Sequence, residues 1–224
     1  MKKIKEIWER YKTFLVKTII VCLCGTIFGI GLKAAWEAFD KWRMLEYSRE
    51  VIRGEAELCY NKYKCDLVGE VKHYIDSVSP TSGLNGYAVV DLCERYDLDI
   101  KFVLAQGQIE SHFGTTGLAK KTNSVFNVGA FDKYTIEEIN GRYKYRHPDH
   151  SIEPYMRLLY KDYITGGKTE LDLMVKYVNK HGQRYSSNTA YENEMLRLYK
   201  KIDKTTEISD LQGLMRRYKI ICGK

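Results

Sequence analysis

The stretch SVSPTSGLNG, Ser77 to Gly86, is the sharpest interruption in the chain and separates two kinds of sequence. Before it, residues 36 to 76 contain no proline. They place Trp36, Phe39, Trp42, Leu45, Val51, Ile52 and Leu58 at mostly helical spacing among many charges. One or two helices are predicted there, as a stalk or linker over residues 36–83 or packed on the downstream part of the chain. After the interruption the apolar residues again recur with helical period. A globular unit is expected over residues 84–203, with 204–224 as a tail that forms one more helix.

Within that unit, YAVVDLCERYDL reads as a helix with Val89, Leu92, Cys93 and Tyr96 on one face. Asp99 offers an N-cap for a second helix from Ile100 to about His112. Phe102, Val103, Gln106, Ile109, Glu110 and Phe113 form a stripe along it at i, i+3/i+4 and i+7 spacing. Glu110 thus belongs to the inward face, where a carboxylate is either paired or catalytic. A run rich in Gly, Thr and Asn follows it directly. Downstream, SIEPYMRLLYKDYI, TELDLMVKYVNKHG and TAYENEMLRLYKKI are three further helical patterns joined by short polar connections.

One segment breaks the helical pattern. In YTIEEINGRYKY, Asn140-Gly141 lies between two β-prone runs and favours a two-residue hairpin turn. That register pairs Ile139 with Arg142, Glu138 with Tyr143 and Glu137 with Lys144. By alternation Glu138 shares a face with Ile136, Tyr143 and Tyr145, while Glu137 joins Arg142 and Lys144. Glu137 fits a cross-strand ion pair. Glu138 is an acid on an aromatic face and a second candidate carboxylate. The predicted class is therefore mainly α with one small hairpin.

The N-terminus carries a separate signal. Residues Phe14 to Leu32 are apolar apart from Lys17, Thr18 and Thr26. As a helix this run spans roughly 28 Å, close to the ~30 Å hydrocarbon core of a bilayer. Lys2, Lys3, Lys5, Arg10 and Lys12 precede it, so the positive-inside rule places the N-terminus (1–13) in the cytoplasm and the rest outside. A single-pass transmembrane signal anchor over 14–35 is expected. A cleaved signal peptide is the competing reading, but Lys33-Ala34-Ala35-Trp36 is a poor cleavage site.

The formal net charge of +7 matches an anionic lipid surface or a polyanionic envelope. Lys and Arg are scattered among acids without a reading motif, so no nucleic-acid partner is expected. Cys22 and Cys24 lie in the apolar run. Cys59, Cys65, Cys93 and Cys222 would be exported and free to pair, although Cys59 and Cys65 bond only if their helix breaks between them. No Cys-x-x-Cys or paired-His spacing points to a metal, and no cofactor motif is present.

The stretch FVLAQGQIESHFGTTGLAKKTNSVFNVGAFD resembles the opening of the peptidoglycan glucosaminidase domains of glycoside hydrolase family 73. The shared pattern is Ala-Gln before Glu-Ser, an aromatic-Gly, Thr-Gly-Leu-Ala, then an Asn-x-Phe-Asn-hydrophobic-Gly loop. YRHPDHSIEPYMRLLYKDYI and GQRYSSNTAYENEMLRLY are similar to the family's two later blocks, in the same order. Bacteriophage-encoded wall hydrolases carry domains of similar appearance. The resemblance implies a lysozyme-like α fold that hydrolyses β-1,4 bonds of the peptidoglycan glycan. It implies Glu110 as the catalytic acid, with Glu138 as a less secure second carboxylate. Gln106, Ser111, Phe126, Asn127, Gly129, Tyr145 and Tyr191 are implied as substrate-binding. His112 and the spread Gln183-Arg184-Tyr185 depart from the family pattern. A lytic transglycosylase also uses a glutamate in a Glu-Ser context, yet its Gly-Leu-Met-Gln motif has only a distant echo in QGLM, Gln212 to Met215. A non-catalytic wall-binding module is the third alternative.

Overall fold

The computed structural model describes residues 12, 15–16, 29–128, 137–139 and 142–224, with the backbone alone for 29–35, 137–139 and 142–143. The chain separates into two compact units, residues 1–55 and 56–224. In the described residues of the first, helix α1 (Gly29–Val78) begins. On it the Trp36 and Phe39 rings meet at a tilt, 6.0 Å apart, and Phe39 and Trp42 stack at 6.1 Å. Trp36, Trp42, Leu45, Val51 and Ile52, the apolar positions picked out by periodicity, are exposed. Among the described residues no helix is long and apolar enough to cross a membrane. Most of the expected span, 14–35, lies outside the described residues, and so do Cys22 and Cys24.

In the second unit the rest of α1 is core. Ala56, Tyr60, Leu67, Val71, Tyr74 and Ile75 are buried, at i, i+3/i+4 spacing within the stretch read from sequence as a stalk. Helix α2 (Gly86–Tyr96) is capped by Asn85, whose side chain accepts from Tyr87 N. It lies so close to α1 that a Cβ at Gly86 would come within 2.7 Å of the Val68 carbonyl, so this position accepts only glycine. Helix α1 is unbroken through Cys59 and Cys65, and both are free thiols, as is Cys93.

Helix α3 (Ile100–Ser111) sits at the centre, with residues 100 to 107 all buried. A helix buried all round needs neighbours on every side. They are α2, α7 (Tyr191–Thr205) through Met195, Leu198 and Ile202, and α8 (Ile208–Cys222) through Gln212 and Met215. Its first turn is capped twice. Asp99 accepts from Lys101 N, and the Gln212 side chain accepts from Ile100 N at 3.2 Å while donating to Leu98 O at 2.8 Å. The tail therefore completes the start of the central helix.

Short elements complete the unit: α4 (Ala119–Thr122), β1 (Glu137–Ile139), β2 (Arg142–Lys144), α5 (Ile152–Leu158) and α6 (Glu170–Val175). The hairpin has the expected register, Glu137 opposite Lys144, Glu138 opposite Tyr143 and Ile139 opposite Arg142. Its turn, Asn140-Gly141, and Ile136 lie outside the described residues. Two helical expectations need correction. After α5 the chain widens into a π-turn, Leu159–Tyr163. The pattern TELDLMVKYVNKHG is helical only to Val175, after which Lys176 is extended. Asn179 Oδ1 then accepts from His181 N and Gln183 N, Gly182 takes φ +79°, and Val178 bridges Arg184. Burial of Tyr177 and this Asn-centred turn override the helical period.

Candidate active site

Glu110 stands in the last turn of α3, half-buried, and the chain bends sharply just beyond it. His112, Phe113 and Gly114 take φ of 47°, 55° and 83° in succession. Two consecutive non-glycine residues in the left-handed region cost about 1–3 kcal/mol each, so the surroundings must hold them. The His112 carbonyl accepts from Ser79 Oγ at 2.8 Å and Thr115 Oγ1 at 2.7 Å. The Phe113 carbonyl accepts from Ser82 Oγ at 2.7 Å. The interruption that divides the sequence thus supplies the hydroxyls that brace this turn. Phe113 itself is buried edge-on against Tyr74. Its ring would lie 3.1 Å from a Cβ at Gly107, which accounts for a glycine inside the helix.

Ser111 closes the bend, donating to Val125 O at 2.6 Å and accepting from Gly114 N at 2.8 Å. The returning loop brings Asn127, at φ 50°, over the end of α3. Its Nδ2 donates to the Glu110 carbonyl at 2.7 Å, satisfying one of the carbonyls a helix end leaves open, and lies 3.4 Å from Oε2. From the other side Tyr191, the first residue of α7, donates its hydroxyl to Glu110 Oε1 at 2.6 Å. Burial, the neighbouring Tyr185 and the Glu110 carboxylate push the Tyr191 phenol far above its ordinary pKa, so it remains a donor.

Beneath these groups lies a tyrosine cluster. Tyr177 stacks on Tyr185 at 4.6 Å, and both rings contact Tyr191. Tyr163, turned inward by the π-turn, meets Tyr177 and Tyr185 edge-on. Tyr155 stacks on Phe126 at 3.7 Å with the rings nearly parallel. Gln106 Oε1 accepts from Tyr155 at 2.5 Å and from Tyr177 at 2.8 Å. Arg184 Nη2 donates to both carboxylate oxygens of Glu192, at 2.9 and 2.7 Å, and pins the segment before α7 to that helix; Glu192 Oε1 also accepts from Tyr177 N.

The residues implied by the resemblance separate by depth. Glu110, Asn127 and Tyr191 converge. Gln106, Ser111, Phe126 and Tyr145 are 0, 1, 2 and 1 % exposed and lie deeper than Glu110. Tyr145 ties the hairpin's exit to the segment around α4, its N–H donating to Thr122 O and its carbonyl accepting from Asn123. Gly129 lies outside the described residues, and Glu138 is placed by its backbone pairing alone. The spread Gln183-Arg184-Tyr185 forms the return limb of the Asn179 turn and delivers Tyr185 onto Tyr177. The QGLM echo is in α8, with Gln212 and Met215 buried and Gln212 spent on capping α3. Tyr155 and Tyr177 could not be singled out beforehand among eighteen tyrosines. Among the described residues no group of three or more His, Cys, Asp or Glu is arranged to hold a metal.

The family model Glucosaminidase, described as mannosyl-glycoprotein endo-beta-N-acetylglucosaminidase, matches residues 86–204, more than half of the chain. Among curated proteins no match was found.

Proposed function

This chain belongs to the glucosaminidase family, glycoside hydrolases acting on peptidoglycan, and on that premise we propose that it is an endo-β-N-acetylglucosaminidase with Glu110 as its general acid. One observation carries the reading. A hydroxyl from Tyr191 and an amide from Asn127, 81 and 17 residues away in sequence, converge on the end of α3 and orient one carboxylate. Glycosidic cleavage needs a proton at the leaving oxygen and stabilisation of positive charge at the anomeric carbon. Helices packed around a central one that ends on the acid support a lysozyme-like arrangement.

Two ways of meeting the second requirement stand open to test: Glu138, arriving on β1, activates water, or the substrate's own N-acetyl group assists. We also propose that residues 14–35 anchor the protein in the cytoplasmic membrane with the catalytic unit outside. The apolar run and the cations before it support this. Protease added to spheroplasts then removes the catalytic unit and leaves a short protected fragment; protection of the whole chain refutes the topology.

Product analysis tests the activity itself. Digestion of peptidoglycan is expected to release new reducing ends on N-acetylglucosamine. Reducing ends on muramic acid would make the protein a muramidase, and anhydro-muramic ends a lytic transglycosylase.

A further inference from the structure

We propose that Gln106 is a positioning residue, whose single carbonyl oxygen sets both arms that hold Glu110. The inference rests on the reading of Glu110 as the proton donor. Gln106 lies one turn before Glu110 on α3 and is wholly buried. It touches neither the carboxylate nor solvent, so it acts only through its neighbours.

One arm runs through Tyr155. Its hydroxyl donates to Gln106 Oε1, its ring stacks flat on Phe126, and the next residue is Asn127, which holds the Glu110 carbonyl. The other arm runs through Tyr177. Its hydroxyl donates to the same oxygen, and its ring packs on Tyr185 and Tyr191, the latter holding Glu110 Oε1. The Tyr185 hydroxyl, 3.4 Å from Phe126 O, joins the two arms at their far ends. One acceptor thereby fixes the rotation of two stacked phenols, one packed on Tyr191 and the other on Phe126, the residue before Asn127.

The chemistry of the buried amide argues that the oxygen is kept for this purpose. Gln106 Nε2 has no hydrogen-bond partner among the described residues. A buried donor left unpaired is costly, and an apolar residue of similar volume would fill the space without that cost. The core retains an amide although its Nε2 meets no partner among the described residues. What the amide adds is the two-fold acceptor.

The test separates positioning from stability. Gln106→Leu alone strands two buried hydroxyls and loses stability. The triple variant Gln106→Leu/Tyr155→Phe/Tyr177→Phe removes every member of the network together and is expected to melt close to wild type. Its kcat is expected to fall about tenfold or more with KM within about twofold, the mark of a mispositioned catalytic group. Gln106→Glu keeps an oxygen for both phenols and should hold kcat within about threefold of wild type. Tyr177→Phe, which keeps the ring and loses only the hydroxyl, should lower kcat several-fold at unchanged KM and covers the case in which the triple variant fails to fold. A kcat that returns with stability in the triple variant, or a wild-type kcat in Tyr177→Phe, overturns the proposal. With 13C-labelled tyrosine, the Tyr191 ring resonance should shift in Gln106→Leu and not in Gln106→Glu. That readout does not depend on Glu110 being the acid, so an unmoved resonance refutes the positioning arm by itself. A wild-type rate in Glu110→Gln would refute the functional reading instead.

Discussion

The two ends of α3 both carry an ionisable side chain, and the fold treats them in opposite ways. At the first turn Lys101 is buried, its ammonium 2.7 Å from Asp203 and 3.1 Å from Ser209, and 4.4 Å over the Tyr199 ring. Burial alone would lower its pKa, but the hydrogen bonds to Asp203 and Tyr199 and the charge of Asp99 outweigh it and raise it. That charge is matched and permanent. At the last turn Glu110 is half-buried and takes neutral donors, a phenol and an amide, on a left-handed bend. On the proposed reading, one end of the helix serves stability and the other proton transfer.

Variants at the two ends should therefore fail differently. Glu110→Gln is expected to lower the rate of peptidoglycan hydrolysis by about 10²–10⁴, the worth of general acid catalysis, with the melting temperature nearly unchanged. A zymogram that clears normally would dissolve the contrast. Lys101→Met should do the reverse. We expect a loss of about 2 kcal/mol in chemical denaturation, less than for a fully buried pair because Asp203 is half exposed, and a near-normal kcat for the folded enzyme. Tyr191→Phe removes one oriented hydrogen bond to Glu110 and should reduce kcat about tenfold while leaving stability close to wild type.

The smallest effect sharpens the stability side. Burial would raise the Glu94 pKa, but bonds from Lys64, Tyr60 and Lys219 outweigh it and lower it from the usual 4.5 to about 2. A depressed carboxylate stabilises the fold above its unfolded pKa and loses that contribution as pH falls through the folded one. Stability should thus decline between about pH 4.5 and 2, and Glu94→Gln should flatten that decline in urea titrations at each pH. An unchanged slope would remove Glu94 from the acid response.

Elements with their own local signals were legible in the sequence. Asp99 caps the helix it precedes, and the stripe along α3 runs to Glu110, which meets Tyr191 and Asn127. The Asn-Gly pair implied the hairpin register that is found. Long-range choices were not legible. In α1, Trp36, Trp42, Leu45, Val51, Ile52 and Leu58 are exposed, while Tyr60, Leu67, Val71 and Tyr74 are core, the later part of the helix being met by α2 and α8. The segment after Val175 has helical period yet is extended, since Tyr177 is claimed by Gln106 from the centre of the fold. At the site the residues flanking Glu110 in sequence suggested contact with sugar. Depth could not be read from spacing, and Gln106, Ser111 and Phe126 lie beneath the site.

The central claim, that Glu110 delivers the proton, is tested most directly by varying the leaving group. An aryl glycoside whose phenol is already acidic needs little protonation on departure, whereas the sugar hydroxyl of peptidoglycan needs it fully. The measurement is the ratio of Glu110→Gln to wild-type rates on both substrates. The account predicts a loss of about 10²–10⁴ on peptidoglycan and at most a few-fold on the activated aryl substrate. Equal losses on the two would contradict it, leaving Glu110 as a group that orients substrate or structure rather than one that gives up a proton.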